Sequence, residues 1–319
     1  MKILLTSDWH IKETYRGREG RLKDFLLLTN KLIEVINEKE PDYIFFLGDL
    51  FHTLSPYIRK DVLNFGKEMI EHLAEKVERF FILVGNHDMW RKESYLNFLD
   101  ERPKITVISS IEKVDIGKMK VVFVPYGFPL PKENGDILCL HTDVKGAVTS
   151  GGKVLEEGIE RVLGYDFVFN GHIHKPQNVN GIICVGSPLQ HDFSEEGEKR
   201  RVILWNDGKM EDIWIEGLPS FRRMEVTYKK QAKQLLSLAE SSDDYFEVTV
   251  PVGFDISVFE GYNRVFFRWK QISVEVEEKE KSEPISFEDA VIDWLKRNSV
   301  EEKLIPKVME EVKNVWEVA

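Results

Sequence analysis

The chain has 319 residues, 31% of them charged, a formal net charge of −11 and two cysteines. That length suits about two domains with a sizeable core. Two cysteines exclude a disulfide framework, and no apolar run reaches the roughly 18 residues of a membrane span. Met1-Lys2-Ile3 opens a strand rather than a signal peptide, so the expectation is a cytoplasmic protein with no membrane contact.

In chain order, Ile3-Leu4-Leu5-Thr6 reads as a strand that runs into Asp8 and His10. Leu22, Phe25, Leu26, Leu32, Ile33 and Ile36 form a helical stripe ending before Pro41. Tyr43 to Leu47 is a second strand, leading through Gly48 to Asp49 and on to Leu50-Phe51-His52. A helix is predicted from Arg59 to Val77, with His72 on its surface. Phe80 to Val84 then delivers Gly85-Asn86-His87-Asp88, where Asp88 is expected to cap a following helix, the alternative being that it orients His87. Ile137 to Leu140 ends at His141, a third helix is predicted from Lys153 to Leu163, and Phe167 to Asn170 ends at Gly171-His172-Ile173-His174. Further strands at Ile105 to Ile108, Lys120 to Val124, Ile182 to Val185 and Arg201 to Trp205 are expected to form a second sheet. Cys139 and Cys184 lie in apolar runs and read as buried free thiols, and His191 reads as structural, the alternative being a place near the site. Strands interleaved with helices predict α/β layering.

Five strand ends therefore carry Asp, Asn or His, and six of the eight histidines fall in these motifs. In open α/β sheets the ligand site lies beyond the carboxyl ends of the strands, so these ends point to one centre. Glycine before Asp49, Asn86 and His172 suits a sharp turn and close approach. A mixed carboxylate, carboxamide and imidazole set without thiolate suits Mn²⁺, Fe²⁺ or Zn²⁺. The simplest partition bridges two cations with Asp49, placing Asp8, His10 and His174 on one and Asn86, His141 and His172 on the other. Two such ions clamp the attacking and leaving oxygens of a phosphoryl displacement.

These motifs, with Gly186-Ser187-Pro188, resemble the calcineurin-like metallophosphoesterases and, within them, the SbcD-type DNA nucleases related to the eukaryotic meiotic-recombination nuclease. The likeness covers about residues 1–215 and implies two packed sheets flanked by helices. It also implies a two-metal DNA exonuclease and endonuclease, Mn²⁺ being the expected ion. Related protein phosphatases carry an arginine a few residues after the aspartate of this motif. Here His52 follows instead and resembles the second active-site histidine of the nucleases. His87 has no need to bind metal beside Asn86, so its imidazole is free to contact the phosphate or protonate the leaving oxygen. His52 would stabilise charge on the phosphoryl oxygens. The chain departs from the family where Ile11-Lys12 follows His10, since the family commonly has Leu-Gly there.

The resemblance divides the chain into a nuclease domain (1–218), a small α+β capping domain (219–274), a linker (275–285) and amphipathic helices (286–319). The capping domain shows strands at Phe221 to Tyr228, Tyr245 to Val250 and Val265 to Trp269, around a helix at Gln231 to Glu240. In the last segment Ser286 with Asp289 and Ser299 with Glu302 resemble capping boxes. Leu304, Ile305, Val308, Met309, Val312, Val315 and Trp316 make an apolar stripe, with Pro306 either in the first turn or at a kink. The family analogue of this segment docks on the coiled-coil base of the partner ATPase, SbcC, and a homodimer is expected through the helix from Arg59 to Val77. Basic clusters at Arg16, Arg18, Arg21 and Lys23, at Arg59-Lys60 and at Arg91-Lys92 lie where DNA phosphates would pass or are ordinary surface charges. Two other functions compete: a phosphoesterase acting on a small molecule, and an inactive scaffold.

Overall fold

Strand β1 (Lys2–Thr6) shows how side-chain alternation builds two cores at once. Leu4 joins Ile44, Phe46, Phe80 and Ile82 against the helices, while Ile3 and Leu5 join Phe45, Phe81, Phe123, Ile137 and Phe169 on the opposite face. This is seen in a computed structural model that describes residues 1–52, 57–91, 93–270, 292, 295–296 and 304–309. The chain divides into two units, Met1–Lys270 and Gln271–Ala319.

In the first unit β1 is followed by α1 (Leu22–Lys39), β2 (Tyr43–Phe46), α2 (Lys60–Ala74), β3 (Arg79–Leu83), β4 (Ile105–Ile108), β5 (Glu112–Ile116) and β6 (Met119–Val124). Then come β7 (Ile137–Leu140), β8 (Phe167–Asn170), β9 (Gln177–Val179), β10 (Ile182–Cys184), β11 (Arg201–Asn206) and β12 (Lys209–Trp214). One six-stranded sheet has the order β12-β11-β1-β2-β3-β4 and the other β9-β10-β8-β7-β6-β5. The cluster between them is the sandwich interior, and α1 and α2 cover the outer face of the first sheet.

Two expectations are corrected. Ile105–Ile108 and Arg201–Asn206 extend the first sheet, pairing parallel to β3 and antiparallel to β1, instead of joining the second. Buried strands of both sheets are almost uniformly apolar, so pattern alone does not sort them. No helix forms over 153–163. Leu155, Ile159 and Val162 instead belong to a loop that covers Leu138, Leu140 and Val168 on the outer face of the second sheet, held by bridges Val144↔Ile159 and Val148↔Val154. Gly158, at φ +113°, breaks the helical run, and a Cβ there would meet the Asp143 backbone at 2.5 Å. Cys139 and Cys184 are free and buried on opposite faces of the second sheet, and His72 is exposed.

The unit continues with β13 (Phe221–Glu225), α3 (Lys229–Ser241), β14 (Tyr245–Val250) and β15 (Val265–Trp269), a three-stranded parallel sheet with its own apolar cluster. An aromatic cluster of Tyr15, Phe193, Phe221, Tyr245 and Phe266 joins it to the sandwich, with Phe221 and Tyr245 stacked at 4.5 Å. The three arginines of the first basic cluster are engaged at this junction, while Lys23 is exposed. Arg16 pairs with Glu247 at 2.8 Å, Arg18 donates to the Tyr262 and Val265 carbonyls, and Arg21 is buried against Asp24 and the Gln190 carbonyl. Lys92 of the third cluster lies outside the described residues.

In the second unit Leu295, Ile305 and Met309 pack together, and Pro306 falls in the first turn of a helix over 305–309. The 275–285 linker, both capping boxes, Val312, Val315 and Trp316 lie outside the described residues.

Asp24 carries the junction: it accepts from Arg21, from Arg264 at 2.7 Å and from the Tyr245 hydroxyl at 2.8 Å, with no exposure of its own side chain. Removing one partner strands buried guanidinium charge. Asp24→Ala is expected to destabilise the protein by about 3–5 kcal/mol, read by guanidinium denaturation against the parent chain.

Candidate metal centre

Tight backbone turns just past the strand ends set the donors. Asp8, His10, Asp49 and His172 all have positive φ, at 55°, 49°, 61° and 67°. Non-glycine residues adopt this conformation at a cost that surrounding structure must offset, and such residues cluster at functional sites. Here the offset is a zipper of main-chain bonds: Asp8 N–H to Gly48 O, His10 N–H to Asp49 O and Ile11 N–H to Leu50 O, at 2.8–3.0 Å. The glycines leave the room this crowding needs. A Cβ on Gly171 would lie 2.1 Å from Leu47 O, one on Gly85 2.2 Å from Asp49 Oδ1, and one on Gly48 2.3 Å from His141 Nδ1.

Asp8 and His10 follow β1, Asp49 and His52 follow β2, and Asn86 and His87 follow β3. The second sheet supplies His141 after β7, and His172 and His174 after β8. All nine meet in one pocket. The His172 N–H donates to Asp8 Oδ1 at 3.0 Å, tying the two sheets together. His10 Nε2 lies 3.0 Å from His174 Nε2 and 3.5 Å from Asp49 Oδ2. His141 Nε2 lies 3.4 Å from the same Asp49 oxygen, and His141 Nε2 and His172 Nδ1 both converge on Asn86 Oδ1, at 3.1 and 3.0 Å. Donor atoms of Asp8, His10 and His174 form one close set and those of Asp49, His141 and His172 another, with Asp49 reaching both. His52 and His87 stack at 5.5 Å, and their donors form a third set with His10.

Buried carboxylates and neighbouring imidazoles make this an electrostatically expensive place. Burial raises the Asp8 pKa; for Asp49 burial acts in the same direction, but His141 overcomes it and lowers the value. Burial opposes a charged His141 too, yet Asp49 beside it lifts that imidazole to about 9. His10 is held well below its ordinary value by burial and then by His174, and His52 is held at about 4 by burial and then by Lys12. Buried charge must be paired or coordinate a metal. Two buried carboxylates inside a ring of imidazoles that face one another, with no thiolate, fit divalent cations of intermediate hardness.

Further residues hold these donors, and sequence reading missed or misassigned them. Asp88 caps no following helix; its side chain closes the 3-10 turn Asn86–Asp88, and a short strand comes next. Fully buried, Asp88 accepts from the backbone N–H groups of Gly85, Asp49, Leu50 and Phe51 at 2.7–3.2 Å, and so shapes the loop that carries Asp49. Glu195 bonds His174 Nδ1 at 2.8 Å and Asp143 bonds His172 Nε2 at 3.1 Å, so each carboxylate fixes an imidazole. His191 lies at the edge of the pocket: its Nε2 is 2.9 Å from Asp8 O, and its ring is 5.1 Å from that of His10. Glu195 and Asp143 lie 21 and 29 positions from the histidines they bond, so no motif announces them. Replacing Asp88 by Asn puts an amide N–H₂ among four converging N–H donors. Asp88→Asn is expected to weaken Mn²⁺ binding by ~10–100-fold in titration calorimetry while His52 and His87 stay intact.

A family model described as calcineurin-like phosphoesterase matches residues 1–176, the segment holding every donor named above. Among solved structures, the phosphoesterase Yfce from E. coli is 17% identical, covering 65% of this chain and 89% of its own, with a TM-score of 0.34. A likeness at that level adds nothing to the assignment, which rests on the family match and on the donor geometry. The chain belongs to the calcineurin-like phosphoesterase family, and its chemistry is phosphoester hydrolysis at a divalent-metal site.

Proposed function

We propose that this phosphoesterase is a two-metal DNA nuclease, an exonuclease and endonuclease of the SbcD type that works with an SbcC-type ATPase in double-strand-break repair. The observation that carries the reading is His52, which stands against both His10 and His87 at the mouth of the pocket. A small cation-binding pocket needs no such pair of imidazoles, whereas a phosphodiester presents both non-bridging oxygens and a leaving oxygen to be served. A cavity of about 490 Å³ also opens from His10, His52 and His174 toward Arg223 on β13, so the module 219–270 flanks the site where a capping domain would hold DNA.

In this reading Asp8, His10 and His174 would hold one ion, Asn86, His141 and His172 would hold the other, and Asp49, which reaches both sets, would serve both, Mn²⁺ being the expected metal. When bound, the ions supply charge neutralisation and acidify water near neutrality. The chain does the rest. Glu195 and Asp143 orient the imidazoles of His174 and His172, Asp88 holds the Asp49 turn, and His87 contacts the phosphoryl group or gives its proton to the leaving 3′ or 5′ oxygen. His52 stabilises developing negative charge. Residues 286–319 are the proposed ATPase-docking segment, and α2 the proposed dimer contact.

With Mn²⁺, the purified chain is expected to cut DNA and bis-p-nitrophenyl phosphate in preference to p-nitrophenyl phosphate. Activity on the monoester alone would favour a small-molecule phosphoesterase instead. His87→Gln is expected to lower turnover by ~10²–10⁴-fold with Mn²⁺ content kept near that of the parent. Parallel loss of metal and activity would make His87 a ligand.

A further inference from the structure

Cations line the approach to the site, but nearly all are already neutralised. Two cavities, of about 440 and 490 Å³, meet along Lys12, Tyr15, Arg16 and His52. Arg16 is paired with Glu247, Arg59 with Glu13 and Asp61, and Arg223 with Glu247 and Glu196. Lys12 lines both cavities and makes no hydrogen bond or ion pair among the described residues. Its ammonium lies 5.7 Å from the centroid of the Tyr15 ring; burial and then Arg21 lower its pKa to about 8, against Asp192 and Glu195, which act on it without closing an ion pair. The position is set by the same zipper that shapes the metal loops, since the N–H of Ile11 bonds Leu50 O and that of His52 bonds Ile11 O. Lys12 therefore sits two residues from His10 and close beside His52.

We infer that Lys12 is a specificity-determining residue, whose ammonium takes a second phosphate of a polynucleotide, next to the one held at the metal pocket. The inference rests on the nuclease reading and names its substrate contact. A partly desolvated ammonium with no carboxylate partner forms strong bonds to phosphate oxygens. Arg16, Arg59 and Arg223 would first have to give up existing partners, so Lys12 is the cation available at no such cost. A substrate with one phosphate gains little from it, and a chain of phosphates gains a contact beyond the scissile bond.

The test compares competitors that carry one phosphate and several. Bis-p-nitrophenyl phosphate hydrolysis with Mn²⁺ is inhibited either by orthophosphate or by a phosphorothioate-linked oligothymidine, for the parent chain, Lys12→Met and Lys12→Arg. In Lys12→Met the oligothymidine is expected to inhibit ~10-fold less well, while orthophosphate inhibition shifts by under ~3-fold. Its inhibition should also lose about 0.7 from the slope of log affinity on log salt, one phosphate contact on a single strand. Lys12→Arg should recover most of both losses, and Mn²⁺ content should match the parent in all three. Equal weakening of both competitors, an unchanged salt slope, or an oligothymidine that does not inhibit the parent chain would each overturn the inference. Should the oligothymidine inhibit as expected while its ordinary phosphodiester counterpart stays uncut, the nuclease reading falls and the Lys12 contact stands.

Discussion

The centre depends on two carboxylates, Asp8 and Asp49, held almost without exposure at the seam of two sheets. Neither has a lysine or arginine partner among the described residues; imidazoles, backbone N–H groups and the Ser7 hydroxyl surround them instead. An arrangement of this kind gains little as a structural ion pair, because imidazole is a weak and pH-dependent counter-charge. It gains a great deal once cations enter. The positive φ of Asp8, His10, Asp49 and His172 belongs to the same account: local conformational cost is accepted where donors must converge.

Convergence is possible because the sandwich delivers strand ends from both layers to one rim. Three donor loops come from the first sheet and two from the second, and the bond from the His172 N–H to Asp8 sets the distance between them. Phe45, Phe81 and Phe123 interlock beneath the pocket and fix how the layers sit, so a change in that interior would be felt at the donors. The pocket is thus positioned by packing of residues that carry no chemistry themselves.

Much of this is legible in the sequence because the information is local. An apolar run, a glycine and a ligand residue stand within a few positions of one another at Leu47-Gly48-Asp49, Val84-Gly85-Asn86 and Asn170-Gly171-His172, so strand, turn and donor are read together. What escaped is settled by distant contacts. Glu195 reaches His174 from 21 positions away, and Asp88 serves an Asp49 loop 39 positions earlier. The false helix at 153–163 has apolar spacing that suits a helix, but Gly158 and packing on the second sheet decide otherwise. The sheet membership of β4 and β11 likewise depends on pairing partners far along the chain.

The fate of the arginines after the first motif shows how charge near a site should be weighed. Their clustering looks like a phosphate track, but a guanidinium that bonds Glu247, the Val265 carbonyl or Asp24 already has its partners. These bonds fasten the three-stranded module to the sandwich, so the cluster acts on the site by fixing what flanks it. Availability, more than count, therefore decides which cations face a substrate. The net charge of −11 is compatible with an anionic substrate on the same ground: thirteen acidic and seven basic residues after position 274 supply more than half of it. Close to the pocket the balance is set by individual unpaired groups and by whatever cations the carboxylates hold.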